Sequence, residues 1–352
     1  MKNWHNVKVY SPGYQATEWG FDYNQIVDLE TALAQPQSIA VMPVFYSLPD
    51  KHEYNLEFTQ LPLHLFDLVL FSDIEWHSQT ELVAWIETTG ITNWLLHVAG
   101  LWLDEPQHPR VIYRPAWSFN FLRWNPPRHD FPLERSFAFD CLLGARREHR
   151  DFAMLSMQKS NLLDQGIVTY RDLFVGHWID QTPARVSQLF GDTQLDYPYV
   201  SKNLDPAWEV KQQLDNSISG LVPWEIYNRT WFSVVCETLA KERVFLSAEK
   251  MGKCFQARRL FVVFAIQGFL QRYRDWGFET FNDVIDESYD LEPDDIQRWS
   301  QAFEQVRWLC DQDLAKLLTK LQPRLDHNHN RLYEFEQEKQ QELQNFIADH
   351  LK

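Results

Sequence analysis

Short apolar runs set between helical segments constrain this chain more than any other feature. Residues 38–42, 66–71, 94–98, 137–143, 167–170, 231–236 and 260–266 are almost continuously apolar. A strand without polar alternation has both faces buried, which parallel sheets built from βαβ units achieve. Helical spacing fills the gaps between runs. Ile26, Leu29 and Leu33 recur at helical intervals over residues 23–34. Ser78, followed by Glu81, forms a capping box for a helix over residues 79–87. The expectation is an α/β chain with two Rossmann-like domains facing a cleft, over residues 1–125 and 135–325. Residues 126–134 read as the linker, because Pro126, Pro127 and Pro132 resist regular structure. A terminal helix lies within residues 326–352. Its apolar Leu332, Phe335, Leu343, Phe346 and Ile347 suit it to pack back on the first domain.

Composition narrows the function classes. The net charge of −16 disfavours a duplex nucleic-acid partner and a polybasic membrane anchor. The 15 Trp, 13 Tyr and 24 Phe fit either large cores or a carbohydrate or nucleotide site lined by aromatic faces. Cys141, Cys236, Cys254 and Cys310 form no CxxC and read as reduced structural thiols. Neither an N-terminal apolar core nor a membrane-length run is present. A soluble, cytoplasmic protein with no transmembrane segment is therefore expected.

Three places could carry chemistry. Residues 144–150, Gly-Ala-Arg-Arg-Glu-His-Arg, sit between a strand end and a helix start. Free backbone N–H groups there favour an anion, so Arg146, Arg147, His149 and Arg150 would meet a phosphate. The plainer alternative is a solvated basic turn paired with Glu148 and Asp151. Ser247-Ala-Glu249-Lys250 opens a second helix after residues 245–246. Lys250 in a first turn opposes the helix dipole, which a bound diphosphate would justify, and Glu249 could accept from ribose hydroxyls. A solvent-facing Glu–Lys pair is the alternative. Glu237, after the strand ending at Cys236, is either a helix N-terminal residue or an acceptor of sugar hydroxyls. Together these describe a nucleotide-diphosphate pocket on neighbouring strands of one sheet. The chain has no GxGxxG, Walker loop or metal-binding DxD.

Several of these residues also carry a family resemblance. Val222-Pro-x-x-Ile-Tyr, Phe232-Ser-x-Val-x-Glu-Thr, Ser247-x-Glu-Lys and Gly277-Phe-x-Thr-Phe-x-x-x-x-Asp-Glu-Ser-Tyr-Asp resemble bacterial and phage glycosyltransferase-like proteins. The C-terminal domain of those proteins is similar to that of the α-1,3-fucosyltransferases. The resemblance covers about residues 135–290 and implies the GT-B fold. It makes 1–125 the acceptor-side domain and 135–325 the nucleotide-sugar-binding domain. Arg150 and Lys250, with Arg147 beside them, would hold the donor diphosphate. Glu249 would take the ribose and Glu237 the donor sugar.

The implied activity is inverting, metal-independent transfer of a sugar to an acceptor hydroxyl, possible in surface-polysaccharide or glycan synthesis. It needs no cofactor beyond the nucleotide-sugar co-substrate, with GDP the candidate nucleotide. The sequence departs from the family at Ala248, at Lys253-Cys-Phe and at residues 257–260, Ala-Arg-Arg-Leu. In the family a Glu-Ser-Pro after a strand supplies the base, but here the comparable strand ends His97-Val-Ala-Gly100. His97 is the candidate base, since an imidazole titrates near neutrality, with Asp73 and Glu75 as alternatives. Two other readings stay open: a non-catalytic carbohydrate-binding or assembly protein, and a phage-type enzyme that glycosylates DNA bases.

Overall fold

The computed structural model describes residues 7–12, 16, 19, 21, 23–44, 61–73, 77–115, 118, 120–123, 125–126, 134–171, 184–204, 220–241 and 243–351. Glu75 and residues 127–133 of the expected linker lie outside that set. The chain is mixed α/β with sheets built mainly from parallel strands, compatible with a Rossmann-like fold. It divides into two compact units. One comprises residues 1–116, 243–247 and 334–352, the other residues 117–242 and 248–333.

The first unit contains β1 (Val9–Tyr10), β2 (Ile26–Val27), α1 (Leu29–Leu33), β3 (Ile39–Pro43), β4 (Leu68–Asp73), α2 (Gln79–Thr88), β5 (Trp94–Val98), β6 (Gly100–Trp102) and β7 (Val111–Tyr113). The main sheet runs β2-β1-β3-β4-β5-β7 with every pairing parallel. Every residue of β3, β4 and β5 is buried, which is why their sequences do not alternate. Met42, Phe71 and Leu96 cover one face with Leu82 and Ile86 of α2. Val41, Leu70 and Leu95 pack on the other face with Leu343 and Ile347, from the C-terminal part of the chain. The Ser78 hydroxyl caps α2 by accepting from the Glu81 N–H at 3.1 Å.

Residues 23–34 do not form the single helix their spacing predicts. The β-branched pair Ile26–Val27 joins the sheet beside β1. Asp28 then starts a new helix, accepting from the Thr31 N–H at 2.8 Å. A strong cap inside an apolar period moves the helix start.

The remaining elements are β8 (Phe137–Leu143), α3 (Glu148–Lys159), β9 (Gly166–Tyr170), α4 (Ala184–Phe190), β10 (Tyr199–Val200), α5 (Trp224–Tyr227), β11 (Thr230–Cys236), β12 (Val244–Leu246), α6 (Glu249–Gln256), β13 (Leu260–Phe264), α7 (Phe269–Asp275), α8 (Asp295–Cys310) and α9 (Leu314–His350). The second unit's sheet runs β10-β9-β8-β11-β13, parallel except for the antiparallel edge strand β10. At its heart Arg259 on β13's approach pairs with Asp140 of β8 at 2.5 Å, and Thr230 and Ser233 of β11 bond to both.

Two expectations for this half of the chain change. β12 does not join the second sheet; it pairs antiparallel with β6 in the first unit. The terminal helix starts before the expected residues 326–352, because Asp313 accepts from the Lys316 N–H at 3.1 Å and sets the start of α9. It therefore begins at Leu314. Among the described residues no helix is long and apolar enough to cross a membrane.

Candidate functional site

The candidate site lies in the second unit, where the ends of β8 and β11 meet the first turns of α3 and α6. The N-cap positions of both helices, Arg147 and Ala248, are extended and give no side-chain cap. In α3 the Arg150 N–H turns back to the Arg147 carbonyl at 3.0 Å.

Arg146 is committed to structure. Its guanidinium forks onto Asp151, with Nε to Oδ1 at 3.2 Å and NH2 to Oδ2 at 3.0 Å, and Tyr170 donates to the same carboxylate at 2.6 Å. Glu148 pairs with Lys241 at 2.9 Å. Arg150 turns the other way. It is buried, donates to the Ala145 carbonyl at 2.6 Å and the Glu237 carbonyl at 3.2 Å, and leaves Nε without a partner. His149 reaches the same Glu237 carbonyl through Nε2 at 2.8 Å. Burial and the Arg150 charge hold this imidazole well below its usual range, so it is a neutral donor and not a cation. Arg147, the adjacent cap residue, adds to that depression.

Glu237 is the centre of the cluster. Its N–H donates to the Phe264 carbonyl at 3.0 Å, extending the β11–β13 ladder by one residue. Its carboxyl is fully buried; Oε2 accepts from the Thr238 N–H at 3.1 Å, and Oε1 has no partner. Burial raises this carboxyl to about 7, with Lys250 and Arg150 opposing the shift and Glu249 adding to it.

On α6, Lys250 donates to the Thr238 hydroxyl at 3.3 Å and lies 3.6 Å from Glu249. Lys253, one turn along, is 3.9 Å from Glu249. Burial would raise Glu249, but the two lysines outweigh it and hold the carboxyl below its usual range, so it is ionised. Burial lowers Lys253 to about 8 against the pull of Glu249. Gly252 explains how α6 sits so close to its neighbours: a Cβ there would lie 1.8 Å from the Ser118 carbonyl oxygen.

The residues singled out in the sequence therefore divide. Arg150, Glu237, Glu249 and Lys250 come together, with Arg147 at the adjoining cap. The route differs from the one expected, since Lys250 follows a strand of the other unit's small sheet and not a neighbour of β11. His97 belongs to the first unit and is a core residue. It is fully buried, with Nδ1 3.1 Å from the Ser72 hydroxyl and Nε2 3.2 Å from the Arg114 carbonyl. Burial and Arg114 lower it to about 3, so it is a neutral packing residue, which corrects its reading as an accessible base. Asp73, the alternative, is buried at the end of β4 and holds His77 through the ring Nδ1 at 2.9 Å and the main-chain N–H at 3.2 Å.

Sequence reasoning gave no role to Lys253, Thr238 or His77. Lys253 was detectable, because a Lys four residues after Glu249 shares its helix face. Among the described residues no group of three His, Cys, Asp or Glu side chains could hold a metal ion. No protein-family model and no curated protein matches the chain.

Chemically, the cluster offers cations at two uncapped helix starts, one ionised carboxylate and one carboxyl oxygen in need of a partner. That set suits an anion carrying hydroxyl groups.

Proposed function

We propose that this unit binds a nucleoside-diphosphate sugar and that the protein transfers the sugar to an acceptor hydroxyl. The observation that carries the reading is the convergence of Arg150 and Lys250, from separate helix starts, on Glu237–Thr238: Arg150 bonds the Glu237 carbonyl, Lys250 bonds the Thr238 hydroxyl, and the buried Oε1 of Glu237 is unpartnered. In this reading Arg150 and Lys250 hold the diphosphate, with Arg147 at its edge. Glu249 accepts from ribose hydroxyls, and Glu237 accepts from a hydroxyl of the donor sugar. The acceptor hydroxyl oxygen bonds to the anomeric carbon as the bond to the diphosphate breaks, inverting that carbon, and the hydroxyl proton is released to water. The departing diphosphate takes the electron pair, and the two cations stabilise its growing charge. The parallel sheets of both units support a GT-B organisation as part of the same proposal. So does the resemblance of residues 135–290 to the fucosyltransferase-like proteins, which makes GDP the first nucleotide to try.

The test is calorimetric titration of the protein with GDP and UDP, beside the Lys250→Ala variant. Binding that weakens by at least about tenfold in the variant supports the assignment; equal affinity in both would falsify it.

One observation favours a second reading. His97, the candidate base, is buried with both ring nitrogens engaged, so this residue is lost as the group that takes the acceptor's proton. A scaffold that binds nucleotide sugars or glycans without transferring them fits that loss. Incubation with a panel of nucleotide sugars separates the two: release of free nucleoside diphosphate favours the enzyme, and binding without release favours the scaffold.

A further inference from the structure

The surroundings of Glu237 are unusual for a binding carboxylate. Its main-chain carbonyl accepts from both His149 and Arg150, so the residue's position is fixed from the α3 side. Its carboxyl has one N–H donor, from Thr238, and no solvent exposure. The charges around it come from two helices. α3 brings Arg147 and Arg150 with the neutral His149, and α6 brings Glu249, Lys250 and Lys253. Arg298 of α8 is turned to the Ala240, Ala265 and Glu292 carbonyls. The ionised form of Glu237 thus depends on Lys250 and Arg150, the residues assigned above to a diphosphate. Seating a multiply charged anion on those cations removes their support and adds repulsion of its own. The carboxyl then has one favourable course, which is to take a proton and offer Oε1 as an O–H donor to the incoming oxygens.

We propose that binding of a diphosphate to this site is coupled to uptake of a proton by the Glu237 carboxyl. The inference rests on the diphosphate reading of the site but goes beyond it. It makes the ligand's affinity pH-dependent through a named atom, and it changes Glu237 from an acceptor into a donor toward phosphate. The free carboxyl, raised to about 7, is poised for this near neutral pH.

The experiment is isothermal titration with inorganic pyrophosphate, and separately with GDP, in pairs of buffers that differ in ionisation enthalpy, at pH 5, 7 and 8. Protons exchanged per ligand bound are compared between the wild-type protein and Glu237→Gln. The comparison cancels protons exchanged by the ligand itself. The wild type is expected to take up more protons than the variant at pH 7 and 8, by up to one per site. The difference should vanish at pH 5, where the free carboxyl is already protonated. Equal proton numbers in both proteins at every pH overturn the coupling while leaving diphosphate binding standing. No binding of either ligand to the wild type overturns the diphosphate reading and the coupling with it. Should Glu237→Gln not fold, infrared difference spectra of the wild type decide. A protonated-carboxyl band that grows on pyrophosphate binding supports the coupling, and its absence refutes it.

Discussion

The Arg150 guanidinium donates to the main-chain carbonyl of Glu237 at 3.2 Å, tying the first turn of α3 to the end of β11. A buried guanidinium that also holds the Ala145 carbonyl contributes to structure and site together. Arg150→Ala takes the donor from the Ala145 carbonyl and leaves the Glu237 carbonyl with His149 alone. It should lower unfolding free energy by roughly 1–3 kcal/mol and weaken GDP binding by at least about tenfold. Arg150→Lys keeps the charge but loses the fork, and should recover binding only in part. Urea melts read the first effect and calorimetry the second.

Lys250 should separate those two effects. Its side chain is about one-quarter exposed and its one hydrogen bond goes to the Thr238 hydroxyl. Lys250→Ala is expected to change stability by no more than about 0.5 kcal/mol while reducing GDP affinity by roughly 1.5–3 kcal/mol, the range for a charge-assisted bond. A large drop in melting temperature with GDP affinity intact would reassign Lys250 to structure.

How much of this was legible beforehand varies with the physics of each element. β3, β4, β5 and β11 were readable because burial on both faces leaves an almost continuous apolar run. The start of α2 was readable because Ser78 caps it through its own side chain. β12 was only half readable: Val244–Leu246 is visibly strand-like, but an apolar triplet carries no information about its partner, and here that is β6. The site had the same limit. Arg146 and Arg150 stand four residues apart in one basic turn, and only the packed structure turns one onto Asp151 and the other onto Glu237. His97 looked like a base because its strand ends at the right sheet edge. Nothing in the sequence reveals that Ser72 and the Arg114 carbonyl occupy both its nitrogens.

His97 should accordingly matter for stability and not for the ligand. His97→Ala removes a buried ring and leaves the Ser72 hydroxyl and the Arg114 carbonyl without it, and is expected to cost roughly 2–4 kcal/mol of unfolding free energy. Pyrophosphate affinity at a temperature where the variant is folded should match the wild type. The lowered imidazole also sets a sign. The unfolded histidine takes a proton below about 6.5 and the folded one only near 3, so its contribution falls as pH drops through that window. Denaturant melts from pH 7 to pH 4 should show a shallower decline in the variant.

The carboxyl of Glu237 works in the opposite direction. Its folded value is raised, from 4.5 to about 7, so between those limits the native state holds a proton that the unfolded chain has lost. That contribution is fully present below about 4.5 and is lost as pH rises through about 7. At about 1.4 kcal/mol per unit, the change is on the order of 3 kcal/mol for a fully buried group. Glu237→Gln keeps the shape and removes the titration. Its stability should therefore decline less than that of the wild type between pH 5 and pH 8, measured by urea midpoints at constant ionic strength. Parallel pH profiles for the two proteins would show that the buried carboxyl does not titrate in that range, and the proton coupling proposed for the ligand would lose its physical basis as well.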